Sequence, residues 1–251
     1  MALNIAQNIL TIMGYGLLPG AKCIQASVFD TATTSVLYTC PTGKKAIVFG
    51  VRRLNATGAA QEFRLEYVDS GSTAYRLTSV ISQGNNTYAA TDFPCPILEA
   101  SEKLQVVVSS GGGASNHFWA SVIEFNSNAN LKSAKLTGTL ASGDNTVYTC
   151  PAGYNALVLD TKIPEDFARP LVVFNGSGSS KTIQWNVAPT GIAVGATNAV
   201  TVPRTTVANN AIDTQTMSGG IMLNSGDVVN VNMSASTATS MAFINVLELI
   251  N

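Results

Sequence analysis

Few residues in this chain could do chemistry. It holds one histidine, four cysteines and 15 acidic side chains among 251 residues. A Ser-His-Asp or Cys-His nucleophilic site would have to use His117. The glycines, serine and asparagine at 111–116 predict an exposed loop around it, with no organised partners. The G-x-S-x-G turn that presents a nucleophilic serine is missing. Cys23, Cys40, Cys95 and Cys150 are widely spaced with no C-x-x-C, and one histidine cannot complete a zinc centre. The acidic residues do not follow calcium-loop spacing either. The expectation is therefore a chain with no catalytic residue, no metal and no cofactor.

Paired carboxylates are the next chemistry to consider. Glu124 and Glu248 hold the same place in two similar segments, V-I-E-F and V-L-E-L. As a glycosidase pair they would have to face each other within ~5–10 Å. Equivalent residues of separate repeats rarely do, so the expectation is an outward strand position paired with Lys or Arg. Glu165-Asp166 beside Arg169 reads as a solvated loop tip. Gly111-Gly112-Gly113 lacks the Lys-Ser/Thr of a phosphate loop. Lys44-Lys45 and Arg52-Arg53 form the densest basic cluster and read as solvated strand ends. Among the aromatics, Trp119 reads as core, on a face with Ile123 and Phe125. Trp185 alternates with polar residues in Thr182–Val187 and is the candidate for a surface contact. Four Asn-x-Ser/Thr sequons begin at Asn55, Asn85, Asn175 and Asn232, and carry weight only in an exported chain.

The elements that must position these residues are announced by a repeat. Residues 35–49, S-V-L-Y-T-C-P-T-G-K-K-A-I-V-F, are answered 110 positions later by N-T-V-Y-T-C-P-A-G-Y-N-A-L-V-L. The matches include Tyr38/Tyr148, Cys40/Cys150, Pro41/Pro151 and Gly43/Gly153. Self-similarity of this kind sets the architecture before any finer reading. The stretch reads as strand, turn, strand: the proline presets φ, the glycine supplies a free backbone, and an apolar run follows. Further strands are expected at Phe63–Val68, Leu104–Val108 and Trp119–Phe125, with the last two answered at Val228–Val231 and Phe243–Leu249. The spacing between the copies has grown to about 125 at these ends. Extra residues in the second copy are placed at Asp160–Pro170 and Pro189–Asn210. The fold class expected is all-β, with two tandem antiparallel β-sandwich, jelly-roll-like domains. Their bounds are 22–126 and 131–251, after a short arm at 1–21.

Charged residues are 12% of the chain, against roughly 25% in ordinary domains, and the net charge is −1. No basic run prepares the chain for nucleic acid or an anionic membrane. So thin a charge is a weak defence against association and suits a protein that works assembled. No Lys or Arg precedes Lys22, and Gly14, Gly16, Pro19 and Gly20 break the early apolar stretch, so no export signal is expected. The four cysteines are then expected as free thiols. Ile5, Ile9 and Ile12 fall at i, i+4, i+7 and predict a short amphipathic helix at Asn4–Met13, packed on its own first domain or docked as an arm on a neighbouring subunit.

The Y-T-C-P-x-G-x-x-A-x-V hairpin, the later L-x-x-G-D/E-x-L/V-x-V strand and the closing V-L/I-E strand resemble a domain of virion structural proteins in tailed bacteriophages. Here these are Tyr38–Val48, Leu98–Val106 and Val122–Glu124, then Tyr148–Val158, Leu223–Val231 and Val246–Glu248. Where the second copy has Gly226-Asp227 the first has Ser101-Glu102, a departure from the usual turn. The resemblance implies a non-enzymatic virion component, a capsid decoration or head-fibre protein. It also implies other virion proteins as partners and a place in the virion after assembly in the host cytoplasm, and the tandem copies suit a symmetric homo-oligomer such as a trimer. A tail or baseplate part and a carbohydrate-binding module are the alternatives.

Overall fold

The structure is a computed structural model. It describes residues 18–29, 33–91, 93–108, 116–159, 171–194, 199–215 and 221–251. The expected helix at the arm, with Ile5, Ile9 and Ile12, lies outside the described residues, as do Gly111–Gly113 and Glu165–Arg169. Every regular element described is a strand, and all pairings are antiparallel. The chain divides into two compact units, with residues 18–129 in the first and the described residues from 130 onward in the second.

The first unit holds β1 (Lys22–Phe29), β2 (Thr34–Thr39), β3 (Lys44–Asn55), β4 (Gln61–Val68), β5 (Ala74–Arg76), β6 (Ile81–Gln83), β7 (Thr87–Thr91), β8 (Lys103–Val108) and β9 (Asn116–Asn126). One sheet runs β1-β9-β3-β7, the other β2-β8-β4-β5 with β6 also on β4. Successive strands β1 to β4 therefore alternate between the sheets, and the late strands β8 and β9 insert beside the early ones. This is the strand order of a jelly roll. Alternation along each strand sends one set of side chains between the sheets. Phe63, Leu65 and Tyr67 of β4 and Phe118, Ala120 and Val122 of β9 are all buried.

The second unit repeats the plan with β10 (Leu131–Leu140), β11 (Gly143–Thr149), β12 (Tyr154–Leu159), β13 (Leu171–Asn175), β14 (Lys181–Ala188), β15 (Val200–Thr201), β16 (Thr205–Val207), β17 (Ala211–Gln215), β18 (Ile221–Leu223), β19 (Val228–Met233) and β20 (Thr237–Ile250). Its second sheet, β11-β19-β14-β15 with β16 on β14, answers β2-β8-β4-β5. In the other sheet β20 takes the place of β9, with β10 on one side and both β12 and β13 on the other.

The repeated hairpin has the same geometry twice. A bulge falls at Leu37 and at Val147, just before each matched tyrosine, and turns both side chains inward. Gly43 and Gly153 take positive φ in the turn that follows, and Lys44 and Tyr154 donate back to the carbonyls of Pro41 and Pro151. A second turn locks onto each hairpin. The Cys40 amide donates to the Glu102 carbonyl and Ser101 donates to Cys40; Cys150 and Asp227 with Gly226 do the same. Position 101 needs the left-handed conformation whichever residue stands there, so Ser101 adopts φ 73° where Gly226 has 83°.

Candidate functional site

Three arrangements carry the polar and aromatic groups singled out above. The first joins the two sheets within each unit. Glu124 has the same parity on β9 as Phe118, Ala120 and Val122, so it points between the sheets and is buried. Tyr38, on the opposite sheet, donates its hydroxyl to Glu124 Oε1 at 2.9 Å, and Lys22 lies 3.0 Å from Oε2. In the second unit Tyr148 donates to Glu248 Oε1 at 2.7 Å and Lys132 approaches at 2.6 Å. The lysines come from different registers. Lys22 stands directly opposite Glu124, whereas Lys132 stands opposite Val246, one diagonal step from Glu248. The expectation of outward glutamates is corrected: each has its cation, but on the inward side. A phenol from the facing sheet and an ammonium group at the rim satisfy the carboxylate, so burial is tolerated.

Burial first, then the hydrogen bond to glutamate, raises the pKa of Tyr38 and of Tyr148. The neighbouring Cys40 thiol is pushed up to about 12 by burial, with the Glu124 charge adding to it. Burial likewise raises Cys150. Both thiols donate to backbone carbonyls, Cys40 to Lys44 and Leu98, Cys150 to Tyr154 and Leu223. Burial and these bonds favour the neutral thiol in both units. Among the described residues no three His, Cys, Asp or Glu side chains gather as a metal site would require.

The second arrangement is an asparagine that organises a turn, and sequence reasoning missed it. Asn55 is fully buried; its Nδ2 donates to the carbonyls of Ala59, Gln83 and Gly84, all at 3.0 Å, and its Oδ1 accepts from the amide and hydroxyl of Thr57. Asn175 does the same with Ser179, Val207, Ala208 and Ser177. Even the outer contact repeats: Gly58 donates to Asn85 Oδ1 and Gly178 to Asn209 Oδ1, each at 2.9 Å. Two of the sequons are thus buried turn anchors, with no amide free to carry a glycan. The signal lay in N-A-T-G-A against N-G-S-G-S, 120 positions apart.

The third arrangement is exposed. On the outward side of sheet β1-β9-β3-β7, the register places Phe29, His117, Leu54 and Tyr88 in one row across all four strands. Ser27, Trp119, Arg52 and Ala90 form the next row. Phe29 is 56% exposed, Tyr88 58% and Leu54 38%. The His117 ring stacks on Phe29 at 4.0 Å and 15° and meets Trp119 at 3.9 Å. Burial lowers the His117 pKa, and its Nε2 is buried without a hydrogen-bond partner. His117 is therefore not the exposed loop residue expected. It is the second residue of β9, and its ring meets those of Phe29 and Trp119. Trp119 is not core either, because its parity sends it outward with His117 while Phe118 and Ala120 go in.

Trp185 is corrected in the opposite direction. It is fully buried between Ile183 and Val187 on the inward side of β14, and its polar neighbours Thr182, Gln184 and Asn186 alternate onto the other side. The alternation that suggested freedom in fact assigns the tryptophan to the apolar face. The basic cluster also splits. Arg52 is exposed, but Arg53 is fully buried, its guanidinium over the Phe63 and Phe118 rings and donating to Asn116 Oδ1. Lys45 is buried and donates to the Ala129 carbonyl.

No family model matches the chain, and no curated protein matches it. Solved structures do. A triple-jelly-roll turret protein of an archaeal virus is 13% identical with a TM-score of 0.27 over 92% of this chain, which spans 60% of that one. N-glycanase F is 6% identical with a TM-score of 0.33, covering 90% of this chain and 95% of that one. The major capsid protein P2 of bacteriophage PM2 is 8% identical with a TM-score of 0.28, at 92% and 98% coverage. Viral capsid jelly rolls thus stand among the structures this chain is similar to, at the level of fold. The expectation of a chain without enzymatic activity is withdrawn, since an amidase stands among them as well.

Proposed function

We propose that this chain is a structural subunit of a tailed-phage virion, a capsid decoration or head-fibre protein that works by binding other virion subunits. The observation that carries the reading is the outward apolar row Phe29–His117–Leu54–Tyr88 beside Trp119. Soluble proteins that work alone seldom present an aromatic row across a whole sheet, and such patches mark surfaces that another protein covers. The hairpin resemblance to virion domains and the thin charge point the same way. Elsewhere the polar groups tie the sandwiches together: tyrosine to glutamate across the sheets, and asparagine into the turns. The burial of Trp185 removes the ring on which a sugar-binding groove in the second unit would have rested.

The test is to purify particles of the encoding phage through a density gradient and count this chain by quantitative mass spectrometry against the major capsid protein. A fixed ratio, unchanged after a salt wash, is expected. Its absence from particles that are complete and infectious would contradict the proposal.

A further inference from the structure

The row of rings on the first unit has an answering row in the second. There the positions corresponding to Arg52, Leu54, His117 and Trp119 are Val172, Phe174, Met241 and Phe243, and all four are buried. The outward side of this sheet thus carries large apolar residues in both copies, and in the first they remain open at Phe29, Leu54 and Tyr88. We infer that this open face is a homotypic interface, the outward side of β1-β9-β3-β7 packing on the same face of a second copy of the chain. The inference rests on the reading as a virion subunit only for where the oligomer is used.

Three features select a second copy. The first is shape and area. Four strands at ~4.8 Å and the five residue positions of β7 at ~3.3 Å make a four-stranded face of roughly 300 Å² in plan. Protruding rings raise its accessible area toward the ~600 Å² per partner at which specific interfaces begin. A flat sheet face is best matched by another, stacked at about 10 Å, and this chain supplies one. The second is composition: Phe, Tyr, Trp, Leu and a single Arg are the residue types that form the centre of protein interfaces. The third is polarity. A sugar seated on these rings would need directed hydrogen-bond partners beside them. The first row offers only the His117 imidazole and the Tyr88 hydroxyl, and the buried Nε2 of His117 is unpartnered. Arg52 is the one charge in the two rows. An isologous arrangement keeps two such charges apart when the axis passes away from them.

The experiment compares the full chain with the double variant Leu54→Asp, Tyr88→Asp by sedimentation velocity at tens of micromolar, each with a thermal melt. Wild type is expected at twice the 26.2 kDa chain mass, the variant at 26.2 kDa with the same melting temperature. A wild type that stays at 26.2 kDa, or a folded variant that keeps the wild-type mass, overturns the inference. Hydroxyl-radical footprinting of the wild type needs no substitution. Phe29, Leu54, Tyr88 and Trp119 should label slowly when concentrated and faster on dilution to monomer, and labelling independent of concentration overturns it. A monomer that binds a glycan array through Tyr88 assigns the face to sugar and also overturns it. The two readings separate cleanly. A monomer found at fixed ratio in particles sinks the interface and spares the virion role; an oligomer through this face that is absent from particles does the reverse.

Discussion

At the scale of single residues, the polar groups that both repeats retain are those that hold the fold. Asn55 accepts and donates five hydrogen bonds in a buried turn, so Asn55→Ala leaves several carbonyls and one amide unpaired. The expected loss is about 2–4 kcal/mol, and Asn175→Ala should cost the second unit as much. Urea unfolding checks both. Ser101 stands in a left-handed conformation that costs a non-glycine residue roughly 1 kcal/mol. Ser101→Gly should raise the melting temperature by a few degrees. The reverse change, Gly226→Ser, should lower it by more, because a Cβ there would meet Thr190 Oγ1 at 2.6 Å. The tyrosines make a prediction in alkali. Burial and the glutamate bond raise the folded pKa of Tyr38 and Tyr148 above the unfolded value of about 10. Their contribution is full below pH ~10, and above it the unfolded chain ionises first, so stability falls as pH rises. Tyr148→Phe should weaken the protein at neutral pH and flatten its decline between pH 10 and 12, measured by denaturant midpoints. Tyr38 with Glu124, and Tyr148 with Glu248, could have been paired from sequence, since both members survive in both copies. What periodicity did not reveal was that a glutamate in the closing strand points inward, because a carboxylate is assigned outward unless its partner is known.

At the scale of elements, the repeat made the strands legible and the growing offset made the insertions legible. The strand β3 pairs along β9 without a break in the chain, shifting register only between Val48 and Gly50. In the second unit Val158 opposite Val246 answers Val48, 110 positions on, and Val173 opposite Ala242 answers Arg53, 120 positions on. The extra ten residues therefore fall where β3 has its bulge, within the Asp160–Pro170 stretch that the offset had indicated. Removing ten residues there should join β12 to β13 as one strand and leave the second unit folded. Circular dichroism and a cooperative melt at the wild-type temperature would check this; loss of cooperativity would contradict it. The side on which each aromatic falls was less legible. The loop composition around His117 points to solvent, and the face that Trp119 shares with Ile123 and Phe125 points to the core. The single bit that decides inward from outward is the parity set by Phe118 and Ala120, and both faces of β9 are apolar. Strand order, too, lay beyond periodicity, since pairing is a matter of long-range contact that alternation does not encode.

At the scale of the whole molecule, two jelly-roll units share one plan and differ in what their outward sheet face shows. The first leaves rings in solvent and the second buries its equivalents. A chain with 12% charged residues and an open aromatic face is poorly suited to a solitary life at high concentration. That combination, more than any one motif, is why assembly is proposed as its work. The most direct test is a cryo-electron-microscopy reconstruction of the encoding phage, fitted with the two units as separate bodies. The account predicts density for both jelly rolls at symmetry-related positions on the particle, with Phe29, Leu54, Tyr88 and Trp119 covered by protein. A complete reconstruction of capsid and tail with no place for the chain, or one in which that face lies open to solvent at every position, would contradict it.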